Sequence, residues 1–216
     1  MTDQPVPTAL VMDYGGVLTG SLADVMGSWL AADGLDPATF QRTMRAFLGD
    51  DEVSDNPVHA LERGEVEVPD FEQRLAGHLT TIDGGPVPAT GLLTRMFAGF
   101  TREDSMVAMV RRAKKVGVPT ALLSNSWGVD YPREGWAELF DVVVISGEVG
   151  MRKPERRIYD LVASRLDLPA AACVMVDDLR PNVRGAVAAG MVGVLHTSYA
   201  ATVLELEALL GMSLRV

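Results

Sequence analysis

Carboxylate and hydroxyl side chains stand directly after short apolar runs in this sequence. Ala9–Met12 runs into Asp13, Pro119–Leu123 into Ser124, and Cys173–Val176 into the pair Asp177–Asp178. A basic run, Gly150-Met-Arg-Lys153-Pro154, lies between the second and third of these. A carboxylate is a competent nucleophile in covalent catalysis. Paired carboxylates are oxygen ligands for a hard cation, and an ammonium is a point charge that holds anions. Taken singly, an Asp in such a place is more often a helix cap or a turn residue than a reagent. The joint placement of all four is what points to a site.

The apolar runs are the elements that must position these groups. Val142–Ile145, ending at Ser146-Gly147, and Met191–Leu195, ending at His196-Thr197, complete a set of five. Near-continuous apolar strands are what a parallel sheet covered on both faces requires. Helical patterns alternate with them from residue 102 onward, at Arg102–Val116, Pro154–Leu166 and Pro181–Ala189, the last two each opening on a proline suited to a first turn. The pattern predicts a doubly wound α/β domain. In such sheets ligands sit beyond the carboxyl ends of the strands, so neighbouring strands would bring Asp13, Ser124 and Asp177-Asp178 together.

Between Gly20 and Gly99 the texture changes. Helical patterns cover Ala23–Ala32, Pro37–Leu48, Pro57–Arg63, Pro69–Leu79 and Thr90–Phe97, and no strand candidate interrupts them. The separators are Asp33-Gly34, Gly49–Asp51 and Ile82–Pro86. The division predicted is an α/β core made of 1–19 and 100–216, with an all-helical unit inserted at 20–99. Trp29, Phe40, Met44 and Phe47 fall at helical spacings and are assigned to the core of that unit.

Nineteen basic residues against 29 acidic ones leave a net charge of −10, which repels phosphate backbones and anionic headgroups and predicts neither nucleic acid nor membrane as a partner. No apolar run reaches the roughly 18 residues of a membrane span, and the polar start Met1–Thr8 lacks a signal pattern. One cysteine, Cys173, leaves no internal disulfide and fits a reducing compartment. The expected location is cytoplasmic. A homodimer is left open by the aromatic loop Trp127, Tyr131 and Trp136, which either borders a pocket or packs.

Four segments together resemble the motifs of the haloacid dehalogenase-like (HAD) superfamily. They are Ala9–Thr19 with Asp13-Tyr-Gly-Gly, Leu122-Leu-Ser124-Asn125, Gly150–Glu155, and Val176-Asp177-Asp178-Leu-Arg-Pro-Asn182. Their order and spacing are typical of the superfamily and the likeness spans nearly the whole chain. The resemblance implies a Rossmann-like core with a helical cap, and looks nearest to a sugar-phosphate-phosphatase branch that includes a glucose-1-phosphate phosphatase. It implies Mg²⁺ held by the Asp13 and Asp178 side chains and the Gly15 carbonyl, with Asp177 in support. It makes Asp13 the nucleophile toward a small phosphorylated metabolite, and Lys153 the charge that holds both Asp13 and the phosphate. Ser124 and the adjacent Asn125 amide would donate to a phosphoryl oxygen. Asn182 stands where many relatives have a carboxylate and would orient the metal shell. The physics agrees: at about 4 Å and a dielectric near 20, each like-charge pair costs on the order of 4 kcal/mol, so cations are compulsory.

One position departs. Usual phosphatases of this superfamily carry a second Asp two residues after the nucleophile, and here that residue is Gly15. General acid–base assistance is worth roughly 10²–10⁴ in rate, or about 3 to 5.5 kcal/mol of barrier. A substrate with a good leaving group, a proton donor from the cap, or a weakly catalytic binding protein would each account for the loss. His59 and Glu62 are the cap candidates, and for either a packing role is the commoner one. Haloacid hydrolysis uses a nucleophilic Asp without metal, so the intact Asp177-Asp178 pair speaks against it. A phosphonate hydrolase would need a cap lysine, and all three lysines, Lys114, Lys115 and Lys153, lie outside 20–99. Arg152 and Arg156 flank Lys153 and either touch substrate or pair with acids. Cys173 and His196 receive no role.

Overall fold

The computed structural model describes residues 7–48 and 56–215. The separator predicted at Gly49–Asp51 and the first residues of the N-terminal segment lie outside them. Strand β1 (Ala9–Met12) is followed by a helical unit: α1 (Leu22–Ala32), α2 (Pro37–Leu48), α3 (Pro57–Glu62), α4 (Val68–Ala76) and α5 (Leu92–Phe97). The chain then runs through α6 (Asp104–Lys115), β2 (Thr120–Ser124), β3 (Val142–Ile145), α7 (Ser146–Val149), α8 (Arg156–Arg165), β4 (Cys173–Asp177), α9 (Arg180–Ala188), β5 (Val192–Leu195) and α10 (Tyr199–Leu210).

The five strands form one parallel sheet in the order β3-β2-β1-β4-β5. Every residue of β1, β2 and β4 is buried, as central strands covered on both faces must be. Side chains alternate between the faces with period two. Leu10, Met12, Leu122 and Val176 pack toward Met106 and Val110 of α6 and Leu206 of α10. Val11, Leu123 and Met175 pack toward Ile158 and Val162 of α8 and Ala186 of α9. The strand order reverses beside β1, with β2 and β3 on one side and β4 and β5 on the other. The crevice this creates lies at the carboxyl ends of β1 and β4.

The helical unit has its own apolar cluster, built from Trp29, Phe47, Leu61, Phe71, Leu75 and Leu92 among others, with Phe40 and Met44 packed against it. This cluster accounts for the helical spacing of Trp29, Phe40, Met44 and Phe47. Helix α4 stops at Ala76 with Gly77 as its cap, three residues before the predicted end. Leu79 still enters the cluster, because Thr80 and Thr81 make bridges that turn the chain back. Helix α8 also differs. It begins at Arg156 behind the extended cap Glu155, so Pro154 is not in its first turn. Pro154 follows Lys153 through a cis peptide.

The two crossings between sheet and helical unit run side by side, with Thr19 bridged to Arg102 and Gly20 N donating to Thr101 O at 2.9 Å. The unit is seated back on the sheet through α3, where Ser146 Oγ donates to Glu62 O at 2.5 Å. The approach is close enough that a Cβ on Gly64 (φ +71°) would lie 2.7 Å from Gly147 O. No helix among the described residues is long and apolar enough to cross a membrane.

Candidate active site

Asp13 leaves the end of β1, and its backbone N–H donates to Val176 O at 3.0 Å, so β4 ends beside it. That register carries Asp177 and Asp178 to the same point. Ligand oxygens of Asp13, Asp177 and Asp178 all lie within 4.8 Å of one another. Lys153 is wholly buried, and its Nζ lies 2.8 Å from Asp13 Oδ1 and 2.6 Å from Asp177 Oδ2.

The three carboxylates are not equivalent. Asp177 is completely buried and fully engaged: besides Lys153, its oxygens accept from Asn182 Nδ2 at 3.0 and 3.1 Å and from Leu179 N at 2.8 Å. Asp13 and Asp178 instead line an open cavity of about 330 Å³. Turn geometry keeps them together. Gly16 has φ +73°, and a Cβ there would overlap the Asp178 carboxylate, so only glycine permits this approach. Nothing lies within 4 Å of a Cβ placed on Gly15. An acidic side chain at this position would therefore not be excluded by space.

Three carboxylates facing one ammonium leave an excess of negative charge. Burial, reinforced by Asp177 and Asp178, raises the Asp13 carboxyl well above its ordinary value despite the opposing pull of Lys153. Asp178 is pushed up to about 6, by burial first and Asp177 second. Burial alone would lower Lys153, but Asp13 and Asp177 outweigh it and hold the ammonium firmly protonated. The donor set is all oxygen, converging and overcharged, which fits a hard divalent cation.

Ser124 ends β2 on the other side of β1, Asn125 follows it, and both line the same cavity. Ser124 Oγ lies 2.9 Å from Tyr131 Oη, and burial pushes that phenol up to about 12. The Asn125 side chain has a different duty from the one expected of a phosphate donor. Its Oδ1 accepts from Lys153 N at 2.8 Å and its Nδ2 donates to Lys153 O at 3.0 Å. It grips the backbone that presents the lysine.

Sequence reasoning missed how completely Glu62 is tied down. It is buried at the end of α3 and borders the cavity. Its carboxylate pairs with Arg152, and it accepts from Trp127 Nε1 and Asn125 Nδ2, each at 3.3 Å. Burial raises its pKa, with Arg152 opposing. His59, the other cap candidate, is buried and donates its backbone N–H to the capping Asn56 Oδ1 at 3.2 Å, outside the cavity lining. Of the two arginines flanking Lys153, Arg152 is bound to Glu62 and Arg156 pairs with Asp160. Trp127 and Tyr131 border the cavity, whereas Trp136 is core. Cys173 is a buried hydrophobe whose thiol burial pushes up to about 11. His196 bonds Thr202.

Comparison with known proteins agrees with this geometry. Residues 7–190 match the family model of the haloacid dehalogenase-like hydrolases. The chain is 36% identical over 156 residues to the sesquiterpene phosphatase AstK of Aspergillus oryzae, spanning 70% of this chain and 78% of that protein. It is 29% identical over 221 residues to acyl-CoA dehydrogenase family member 10 of Mus musculus, covering 96% of this chain but only 20% of that much longer one. A HAD-family enzyme of Bacteroides thetaiotaomicron, solved with magnesium and inorganic phosphate, shares the fold with a TM-score of 0.65 at 15% identity, over 88% of this chain and 94% of its own. With the family match covering most of its length, this chain belongs to the haloacid dehalogenase-like hydrolases.

Proposed function

We propose that this protein is a magnesium-dependent phosphatase of a small phosphorylated metabolite, working through a phosphoryl group carried on Asp13. The observation that carries the reading is the placement of Asp13, which faces the cavity with its Oδ1 2.8 Å from Lys153 Nζ and shares a cation-sized cluster with Asp178. In support, AstK is by its name a phosphatase.

Asp13 and Asp178 would hold the cation with the backbone carbonyl of Gly15, and when bound it would offset charge on the carboxylates and the phosphoryl oxygens. Asp13 attacks phosphorus, and the acyl-phosphate is then hydrolysed, splitting one hard displacement into two easier ones. Lys153 aligns Asp13 and neutralises incoming phosphate. Ser124 Oγ and the Asn125 backbone N–H donate to a phosphoryl oxygen. Asp177, fixed by Lys153 and Asn182, keeps the lysine in place. The helical unit closes over the substrate as a cap and determines what enters.

The test is hydrolysis of p-nitrophenyl phosphate with Mg²⁺, with EDTA, and by Asp13→Asn. Turnover that needs both the metal and Asp13 is expected. Its absence across a broad phosphate panel would instead assign the pocket to binding a phosphorylated ligand.

A further inference from the structure

The apolar part of the cavity lining is Phe97, Phe100, Trp127, Val129, Tyr131 and Leu179. Phe97 and Phe100 stack with centroids 5.3 Å apart and planes 8° from parallel, and Trp127 stands edge-on to Phe97 at 5.7 Å. Leu179, next to Asp178, is 50% exposed and adds an apolar side chain to the same lining. The wall is poor in cations. Lys153 is the single basic residue of the lining among the described residues, and Asp13 and Asp177 already engage it. Glu62 and Asp130 add negative charge. Such a wall offers little to the hydroxyls of a sugar and repels a second anionic group.

The leaving oxygen meets an equally specific environment. Gly15 supplies no acid, the Glu62 carboxylate is occupied by Arg152, Trp127 and Asn125, and Asp130 is exposed. Among the described residues, no buried carboxyl of the lining outside the cation cluster is left free to protonate a leaving group, which favours one that departs as a stable anion. Ring-stabilised phenolates meet that condition, and alkoxides do not.

From these two observations, and resting on the phosphatase reading above, we infer that the substrate is an aryl phosphate monoester, with its ring against the Phe97–Phe100–Trp127 wall and no second charged group. Asp13 attacks phosphorus and the P–O bond to the ring oxygen breaks, the electron pair leaving on the phenolate, which solvent protonates. Water then attacks phosphorus of the acyl-phosphate, Asp13 departs as carboxylate, and the proton lost by water stays with inorganic phosphate.

The test uses the full chain with Mg²⁺ on 1-naphthyl phosphate, graded phenyl phosphates, decyl phosphate, glucose 1-phosphate, phosphoserine and farnesyl diphosphate. The expected kcat/KM for 1-naphthyl phosphate is at least about tenfold above glucose 1-phosphate and phosphoserine, since burying one ring's apolar surface readily supplies that factor. Rates should climb with the acidity of the departing phenol. Decyl phosphate should compete for the site but turn over about 10²-fold more slowly. Phe100→Ala, and the exposed variant Leu179→Ala whose folding is not at stake, should raise KM for naphthyl phosphate more than for acetyl phosphate. Gly15→Asp should raise the ratio of decyl phosphate to nitrophenyl phosphate turnover by about 10², whatever it does to the absolute rates. Preference for glucose 1-phosphate, phosphoserine or farnesyl diphosphate, or equal gains from Gly15→Asp on both esters, overturns the aryl assignment and leaves the phosphatase standing. No Asp13-dependent turnover of any ester sinks both.

Discussion

Lys153 and Asp177 meet at 2.6 Å with both side chains sealed from solvent. Together with the 2.8 Å contact from the same ammonium to Asp13, this makes one buried cation the hub of two carboxylates arriving on different strands. Asp177 is consumed in holding Lys153, which leaves Asp13 and Asp178 to face the cavity.

Removing the hub should be costly. Lys153→Met leaves two buried carboxylates uncompensated, and breaking a buried pair in this way typically costs about 3–5 kcal/mol. Chemical denaturation should show that loss, together with loss of turnover. Adding Asp177→Asn to the variant should recover part of the stability but none of the activity. Recovery of activity would show that Lys153 acts only as scaffold.

Gly16→Ala tests the turn. The substitution imposes a side chain at φ +73° and pushes the Asp178 carboxylate aside. Magnesium affinity should fall about 10- to 100-fold, the range seen when a ligand's orientation is disturbed. Titration calorimetry reads this directly, and a circular dichroism spectrum like that of the parent would localise the damage to the site. Unchanged affinity would remove Asp178 from the cation site.

The carboxylate cluster also predicts a pH signature without divalent ions. Asp178 has an ordinary value of 3.8 and is pushed up to about 6 in the fold. Between those values the folded state binds more protons than the unfolded chain, so this group's contribution weakens stability as pH rises through the window. In EDTA, Asp178→Asn should therefore gain stability relative to the parent between about pH 4 and 6. Magnesium should reverse the ranking, because the parent alone keeps the ligand; at a hundred times Kd, binding adds about 2.7 kcal/mol. Melting curves at several pH values, with and without the metal, measure both effects.

Glu62 is the clasp between helical unit and sheet. Glu62→Ala strips Arg152 of its partner and leaves Trp127 Nε1 and Asn125 Nδ2 without one of their acceptors. The ion pair is largely buried, so a destabilisation near the lower end of the 3–5 kcal/mol range, about 3 kcal/mol, is expected. Limited proteolysis should then cut more readily in the crossings at 19–21 and 99–102 than in the sheet. Cleavage no faster than in the parent would mean that other contacts hold the unit closed.

Much of this architecture could be read from residue order alone, because the signals are local. The apolar runs at 9–12 and 142–145 have the same bounds as β1 and β3, since a strand covered on both faces must be apolar throughout. Polar residues at the ends of such runs mark the sheet edge, and that nominates Asp13, Ser124, Asp177 and Asp178, whereas Lys153 comes from the basic run Gly150–Pro154 and the family resemblance. That residue 15 is a glycine, which carries no proton-transfer group, is likewise plain from residue type. Division of labour among the acids was not. It depends on which oxygen reaches Lys153 and which faces the cavity, and that follows from the register of β1 beside β4 and the turn at Gly16. Asn125 gripping the Lys153 backbone, Glu62 reaching Arg152 across 90 residues, and the aromatic wall of the cavity are non-local contacts. Periodicity carries no information about such contacts, because they form only when the helical unit packs back onto the sheet.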